Sequence, residues 1–439
     1  LFYQSGLTRA RVFYRTEYEP SNFPEDCLIS IYGKTLTPGK PLRASRTAPA
    51  GSDNLHVGHW SRPKCSYLAP GDGGGFYRVD YSEENGLVME EYGPGGAFYQ
   101  GWDIPMELPM FGGFYSGSDG FYFVFGQQNP QESDRVEVLR VVKYTRDLER
   151  LGDARLMGGN TRDPFGAASC RMAEGNGLLY IHTGHRMMKS SDGLNHQACM
   201  TFSVDMAALE FQYQFYGVAH YETNGYVSHS FDQYIRVDGD RVIRLDLGDA
   251  YPRGAALFVN GPNLAGRPVC TVAMEWSGRE GDNNTGSWLG GLEVSQSAYL
   301  TALSSVDQTG GNQHENETFN VYLLVTDKET LKTRTVQVTH YSEGGPVSVD
   351  APRLVKFSDG RFLLLWEEQK GKEGYFGGMS YSEYTGRVKY AFFDGEGNQL
   401  GGIQSMPGAM SDCQPEIIDG KAVWYVTEDG GKPVFYQIG

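Results

Sequence analysis

The chain has 439 residues, with 54 acidic against 38 basic side chains and a formal net charge of −16. No lysine or arginine cluster offers the basic footprint that displaces counterions, which excludes nucleic acid and anionic membrane surfaces as partners. No apolar run approaches the roughly 18 residues of a membrane span, and 28 Tyr, 23 Phe and 58 Gly favour strands and tight turns over helices.

Residues 1–60 form an N-terminal segment. Leu1 opens the chain without Met or a signal-type stretch, so the chain reads as a mature or trimmed segment. Two strand-like runs, ARVFYRTEY and CLISIYG, lie within it. From residue 61 onward a repeat is visible in the turns. Asp72-Gly73, Asp119-Gly120, Asn176-Gly177, Asp238-Gly239, Asp359-Gly360 and Asp419-Gly420 each precede an apolar run: FYRVDY, FYFVFG, LLYIHTG, RVIRLDL, RFLLLWEE and KAVWYVTE. Such pairs suit two-residue hairpin turns, which need positive φ. The interval from Asp238 to Asp359 is about twice the others, so one turn is missing near residue 299, within EVSQSAYLTALSS. Seven units result.

Units of this size, each with about four strands, predict an all-β fold: a single β-propeller of seven blades over residues 61–439. The second unit supplies FGGFYSG, FYFVFG, VEVLRVVKY and RLGDARL. The sixth supplies APRLVKF, RFLLLWE, RVKYAFF and a weak QLGGIQS. The last supplies three, CQPEII, KAVWYVT and PVFYQI, so a strand from the N-terminal segment should close the ring and protect the open edge. Two stacked β-sandwiches are the alternative. The six cysteines form no C-x-x-C pair and are expected as buried free thiols rather than zinc ligands.

The Asp-Gly hairpins and the "PRLVKFSDGRFLLLWEE" unit give the chain its likeness. Over about residues 60–439 it resembles bacterial secreted or surface-attached β-propellers of uncharacterised function. "SSDGLNHQACMTFSVD" and "SHSFDQYIRVDGDRVIRLDLGDAYPRG" are similar to segments of such exported proteins. The resemblance implies an extracellular or cell-surface location and no assigned activity. Better-known propeller signatures fit poorly: Ser190-Ser191-Asp192-Gly193 only starts like a sialidase box, and Gly112-Gly113 lacks the Tyr and Trp of a kelch repeat.

In a propeller, the loops joining second to third strands share one rim with the blade-to-blade connections, and loops on a rigid scaffold concentrate binding groups. This places His185, Asp192 and His196 in one loop of the third unit and Asp249, Tyr251 and Arg253 in the corresponding loop of the fourth. His220, Glu222 and His229 lie in the connection between them, with Arg162 and Asp163 entering the third unit. His185, Asp192, His196, His229, Asp249, Tyr251 and Arg253 are the candidate ligand-binding residues. A structural brace is the competing reading of Asp249 and Arg253. Arg244 and Asp246 are expected to serve structure between blades.

No metal or cofactor is expected. His182 and His185 point to opposite faces of a regular strand. His185, Asp192 and His196 match no zinc spacing, and Asp394-Gly-Glu396-Gly-Asn398 lacks the glycine and terminal glutamate of a calcium loop. Acids at the ends of the second strands (Glu83, Glu84, Asp307, Glu367, Glu368, Glu428 and Asp429) suggest a negative collar. Tyr221, Tyr226, Tyr251 and Trp288 are possible sugar-stacking aromatics. Together these features predict an extracellular, non-catalytic propeller that binds a glycan or protein ligand through its rim. The alternative is a glycan-active hydrolase or lyase using rim carboxylates and histidines.

Overall fold

The structure is a computed structural model that describes residues 61–83, 86–216, 221–309, 318–350, 352–373, 379–427 and 433–439, with the strands Ile29–Ile31 and Lys34–Leu36. The chain divides into two compact units. The larger comprises residues 49–64 and 107–410, and the smaller residues 1–48, 65–106 and 411–439.

The larger unit holds five successive four-stranded antiparallel meanders, here blades I to V; blades II and III are joined into one nine-stranded sheet, and blade V carries a fifth short strand. Blade I runs Met110–Gly117, Gly120–Gly126, Glu137–Tyr144 and Arg150–Met157. Blade II runs Cys170–Gly175, Leu178–Met187, Gln197–Asp205 and Phe211–Phe215. Blade III runs Ser228–Asp238, Arg241–Tyr251, Gly254–Asn260 and Val269–Glu275. Blade IV runs Ser287–Val294, Ala298–Ser305, Asn320–Asp327 and Thr333–Gln337. Blade V runs Arg353–Ser358, Arg361–Glu373, Met379–Phe393 and Gln404–Pro407. The first strand of each blade lies against the first strand of the next, from I through V. Meanders ranged around their inner strands are the arrangement of a propeller. The fold is an all-β propeller.

Cores form between blades because both faces of each sheet are covered. In Arg241–Tyr251, Ile243, Leu245 and Leu247 pack with Leu289, Leu292 and Tyr299 of blade IV. Val242, on the opposite face, packs with Tyr180 of blade II. Tyr122 and Val124 meet Ile181 and Phe202 between blades I and II, and Leu300 and Leu323 meet Leu354 and Leu364 between IV and V. Each such aliphatic side chain contributes roughly 1.5–3 kcal/mol by leaving water.

Asn176-Gly177, Asp359-Gly360 and Asp419-Gly420 are turns where the repeat places them, but Gly117 pairs with Gly120, which makes the second turn Ser118-Asp119, and Asp72-Gly73 lies in the longer loop 71–75. Asn176 (φ 56°) and Gly177 (φ 75°) form the left-handed pair of a two-residue turn. In blade III the strands pair as far as Asp238 with Arg241, so the turn is Gly239-Asp240 and not Asp238-Gly239. Gly239 supplies the positive φ of 62°. In blade IV, which lacks the dipeptide, the Ser295 amide and hydroxyl both donate to Ala298 O, at 2.9 and 3.0 Å. A serine side chain replaces the missing Asp-Gly there.

The smaller unit holds a four-stranded sheet, Ser66–Pro70, Phe76–Ser82, Gly86–Tyr92 and Phe98–Ile104, and a three-stranded one, Glu416–Ile418, Lys421–Thr427 and Pro433–Ile438. Their first strands are neighbours. Arg78 is buried between them, donating to Asp80 (2.7 Å) and Glu90 (2.8 Å), while Tyr425 donates to Asp80 at 2.7 Å. Burial, only partly offset by Arg78, pushes the Asp80 carboxyl up to about 8. Of the segments expected to close the ring, ARVFYRTEY lies outside the described residues. Within CLISIYG, Ile29–Ile31 is a strand paired with Lys34–Leu36.

Cys65, Cys170, Cys199, Cys270 and Cys413 are free thiols, and Cys27 lies outside the described residues. Cys170, Cys199 and Cys413 are buried, but Cys65 and Cys270 are partly exposed, which departs from the expectation that all are buried.

Candidate functional site

The site is assembled where blades II and III touch. Ala198, at the start of the third strand of blade II, pairs with Ser228, at the start of the first strand of blade III. This bridge brings Gln197 and His196 alongside His229 and Ser230, and Gln197 Nε2 donates to Ser230 O at 2.6 Å. Two histidines from separate blades therefore share one rim.

His229 adopts a left-handed backbone with φ 52°, a conformation uncommon for a residue with a Cβ and costing about 1–3 kcal/mol unless its surroundings fix it. Its Nδ1 donates to Asp249 Oδ2 at 3.3 Å, and its ring lies against Phe231. The imidazole is 28 % exposed, whereas Asp249 is fully buried. Asp249 Oδ2 also accepts the Asn283 amide at 3.1 Å, while Oδ1 takes Arg253 Nη1.

Arg253 has no donor left for a ligand. Nε donates to Ser277 O at 2.9 Å, Nη2 to Ser277 O and Asn284 O at 2.7 Å each, and Nη1 to Asp249 O at 3.2 Å and to Asp249 Oδ1. Asp282 adds an ion pair at 3.3 Å. The residue is 9 % exposed. The guanidinium thus clamps residues 277–284 onto the turn of blade III, which is the brace reading of this loop. That turn is so short that a Cβ added to Gly248 would run into Pro252 O. Tyr251 projects outward, 57 % exposed, with its hydroxyl bonded to Glu280, which holds the phenol above its usual range.

The remaining expected residues are distributed as follows. His196 Nε2 donates to Asp192 Oδ2 at 2.7 Å on the open surface of the loop. His185 is not in that loop: it lies within the strand Leu178–Met187 and is fully buried. The strand runs this far because Thr161–Pro164 pairs with its end. Thr161 Oγ1 donates to Gly159 O (2.8 Å) and so accepts from His185 Nδ1 at 2.7 Å, leaving Nε2 a bare acceptor with no hydrogen-bond partner. Burial drives this imidazole's pKa down to about 3. His185 therefore faces the core and shares no hydrogen bond with His229 or Asp249. Arg162 and Arg186 flank Asp163 at 3.1 and 3.4 Å. His220 lies outside the described residues, and Glu222 sits in the one-turn helix Tyr221–Asn224.

Arg244 and Asp246 do not pair with each other; a directed chain of bonds joins them across blades. Arg244 Nη1 donates to Thr201 Oγ1 (3.1 Å), Thr201 to His182 Nδ1 (2.9 Å), and His182 Nε2 to Asp246 Oδ2 (3.0 Å). Ser230 donates to Asp246 Oδ1 at 2.6 Å and accepts Gln233 Nε2 at 2.8 Å. All of these side chains are buried. Buried charge this well satisfied fixes the seam between blades II and III.

Of the acids expected in a collar, Glu83 and Asp307 are exposed, Glu367 is buried, and Glu84, Glu428 and Asp429 lie outside the described residues. Asp394 accepts the amides of Glu396 and Asn398 as an ordinary turn. Trp288 and Tyr226 are buried packing residues and offer no face to a sugar. Ser277, Glu280, Asp282 and Asn283 were missed. Their only sequence signal was the polar run GREGDNNTG.

No protein-family model matches the sequence, and no curated protein matches it. Similar solved structures include the subtype N11 neuraminidase-like protein of a flat-faced bat influenza A virus (TM-score 0.41, 8 % identity, 82 % of this chain and 96 % of that one). Parainfluenza virus 5 hemagglutinin-neuraminidase gives a TM-score of 0.40 at 8 % identity, covering 80 % of this chain and 95 % of that one. A glycoside hydrolase family 43 β-1,3-galactosidase gives 0.31 at 8 %, covering 62 % and 92 %. Likeness at this level says nothing about what the chain binds. That has to come from its own side chains.

Proposed function

We propose that the chain is an extracellular bacterial propeller of seven blades, closed by a strand from residues 1–60. In this reading it binds a glycan through the rim built on His229, Asp249, Tyr251 and Arg253, with His196 and Asp192 beside them. The observation that carries it is the exposed Tyr251 next to an outward imidazole whose backbone and Nδ1 are both fixed. An aromatic face with preorganised polar groups suits a sugar ring, because little ordering is left to do on binding. His185 serves the core in this reading, and Arg253 holds the site without reading the ligand.

Binding without turnover is favoured by the state of the carboxylates. Asp249 is saturated, Asp192 is held by His196, Asp282 by Arg253 and Glu280 by Tyr251. Glycoside hydrolysis needs two carboxyls free to exchange protons with substrate. The test is a glycan array followed by affinity electrophoresis in the best polysaccharide hit. Tyr251→Ala should weaken retention about 10-fold, worth about 1.4 kcal/mol, without changing the melting temperature; His229→Ala should weaken it similarly while also removing a hydrogen bond to buried Asp249. New reducing ends or unsaturated products would establish the hydrolase or lyase alternative. Retention of a protein with no glycan hit would establish a protein ligand.

A further inference from the structure

A second polar cluster lies in blade V, away from the rim residues above. Val347–Val349 pairs with the second strand, Arg361–Glu373, beyond the end of the first strand, Arg353–Ser358. The gap between these two inner segments contains Asp350, whose amide donates to Glu367 O at 3.2 Å. Glu367 and Gln369 alternate with the outward Glu368, which bonds Tyr341 and Lys389 instead. Asp350, Glu367 and Gln369 are all at least 97 % buried.

The bonds inside the cluster leave one oxygen over. Tyr384 spends its single proton on Asp350 Oδ2 at 3.0 Å. Its oxygen can then only accept from Gln369, so the amide must present Nε2, at 3.0 Å. That orientation fixes Gln369 Oε1 as a fully buried acceptor with no hydrogen-bond partner. A buried amide oxygen left unpaired costs about 1–3 kcal/mol.

We propose that Asp350, Glu367 and Gln369 Oε1 hold a calcium-class divalent cation inside blade V. The donors are all hard oxygens, two anionic and one neutral, and calcium tolerates irregular shells completed by water or backbone carbonyls. With only two carboxylates, affinity should be that of extracellular modules, on the order of 10⁻⁴–10⁻³ M. The Met410 amide donates to Glu367 Oε2 at 3.1 Å and holds that carboxyl in place.

The probe is terbium, whose emission is sensitised by a nearby tyrosine, here Tyr384, added to the full chain after chelator treatment. Calcium should compete for it in the stated range. Asp350→Asn and Gln369→Met should each weaken terbium and calcium at least 10-fold. Gln369→Glu adds a third carboxylate and should tighten calcium by about 10-fold, so the proposal does not depend on variants that fold poorly. Absence of sensitised emission, emission indifferent to both ablating variants, or a Gln369→Glu chain with unchanged or weaker calcium affinity would overturn it. The cluster shares no residue with the rim, so this outcome is independent of glycan binding.

Discussion

Replacing Arg253 by Ala removes the guanidinium that ties Ser277 O and Asn284 O to the turn of blade III and takes one donor from Asp249. The Gly281 and Asn283 amides still donate to Asp249. Breaking a buried ion pair by deleting one partner costs about 3–5 kcal/mol, chiefly because the other charge stays buried. Asp249 keeps His229 and the Asn283 amide, and Arg253 sits at a rim that water can reach, so the lower end, about 3 kcal/mol, is expected. Arg253→Lys restores the charge with three donors in place of a planar fork and should recover about half. The assay is urea unfolding followed by tryptophan fluorescence, since Trp276 is buried one residue before Ser277. An Asp249→Ala partner completes a double-mutant cycle, with a coupling of at least about 1.5 kcal/mol expected. A loss below about 0.5 kcal/mol for Arg253→Ala, with no coupling to Asp249, would refute the clamp and return Arg253 to the role of a ligand-reading residue.

Three further expectations can be checked on the same protein. His185 binds no proton in the folded chain until about pH 3 but does so at its ordinary value when unfolded. Its contribution is therefore complete above about pH 6.5 and lost as pH falls toward 3, and His185→Gln should flatten that acid limb of denaturation midpoint against pH. Asp80 and Glu367, both raised to about 8, act in the opposite sense. Their bound protons stabilise the fold fully below the ordinary carboxyl range, and this is lost as pH rises through about 8. Asp80→Asn with Glu367→Gln, measured without calcium, should shrink the alkaline decline. Finally, alkylation without denaturant should label Cys65 and Cys270 well before Cys170, Cys199 and Cys413, read by peptide mass spectrometry. Burial raises the Cys170 thiol to about 12, which adds to its inertness; early labelling of Cys170 would contradict its placement.

What could be read from the sequence was what local chemistry decides. Turn residues need positive φ, so Asn176-Gly177 and its relatives marked the inner hairpins. Alternation in RVIRLDL placed Ile243, Leu245 and Leu247 on one face whatever they pack against. The registers at Ser118-Asp119 and Gly239-Asp240 were missed because each turn sits one residue to one side of the Asp-Gly dipeptide, where strand pairing puts it. The site was less legible because its decisive partners are distant in sequence. Nothing near Arg253 announces that the carbonyls of Ser277 and Asn284 will consume its guanidinium. His185 looked like a loop residue because Gly184 precedes it; it is a strand residue because Thr161–Pro164 supplies a pairing partner.

That pairing partner has a counterpart in blade V, and the two together explain where the buried titratable groups arise. In blade II the second strand pairs first with Cys170–Gly175 and then with Thr161–Pro164. In blade V it pairs with Arg353–Ser358 and then with Val347–Val349. Each inner edge is thus built from two segments with a break between them, and the second strand must pass the break without a continuous neighbour. Glu367 sits at one break and His185, paired with Pro164, beside the other; each is buried and pushed toward its neutral form by loss of water. The difference lies in what surrounds them. His185 has one hydroxyl and a hydrophobic core, so its bare Nε2 has nothing to act with. Glu367 has Asp350, Gln369 and Tyr384, an oxygen-lined recess with an acceptor to spare. The same topological gap is inert in one blade and shaped for a cation in the other.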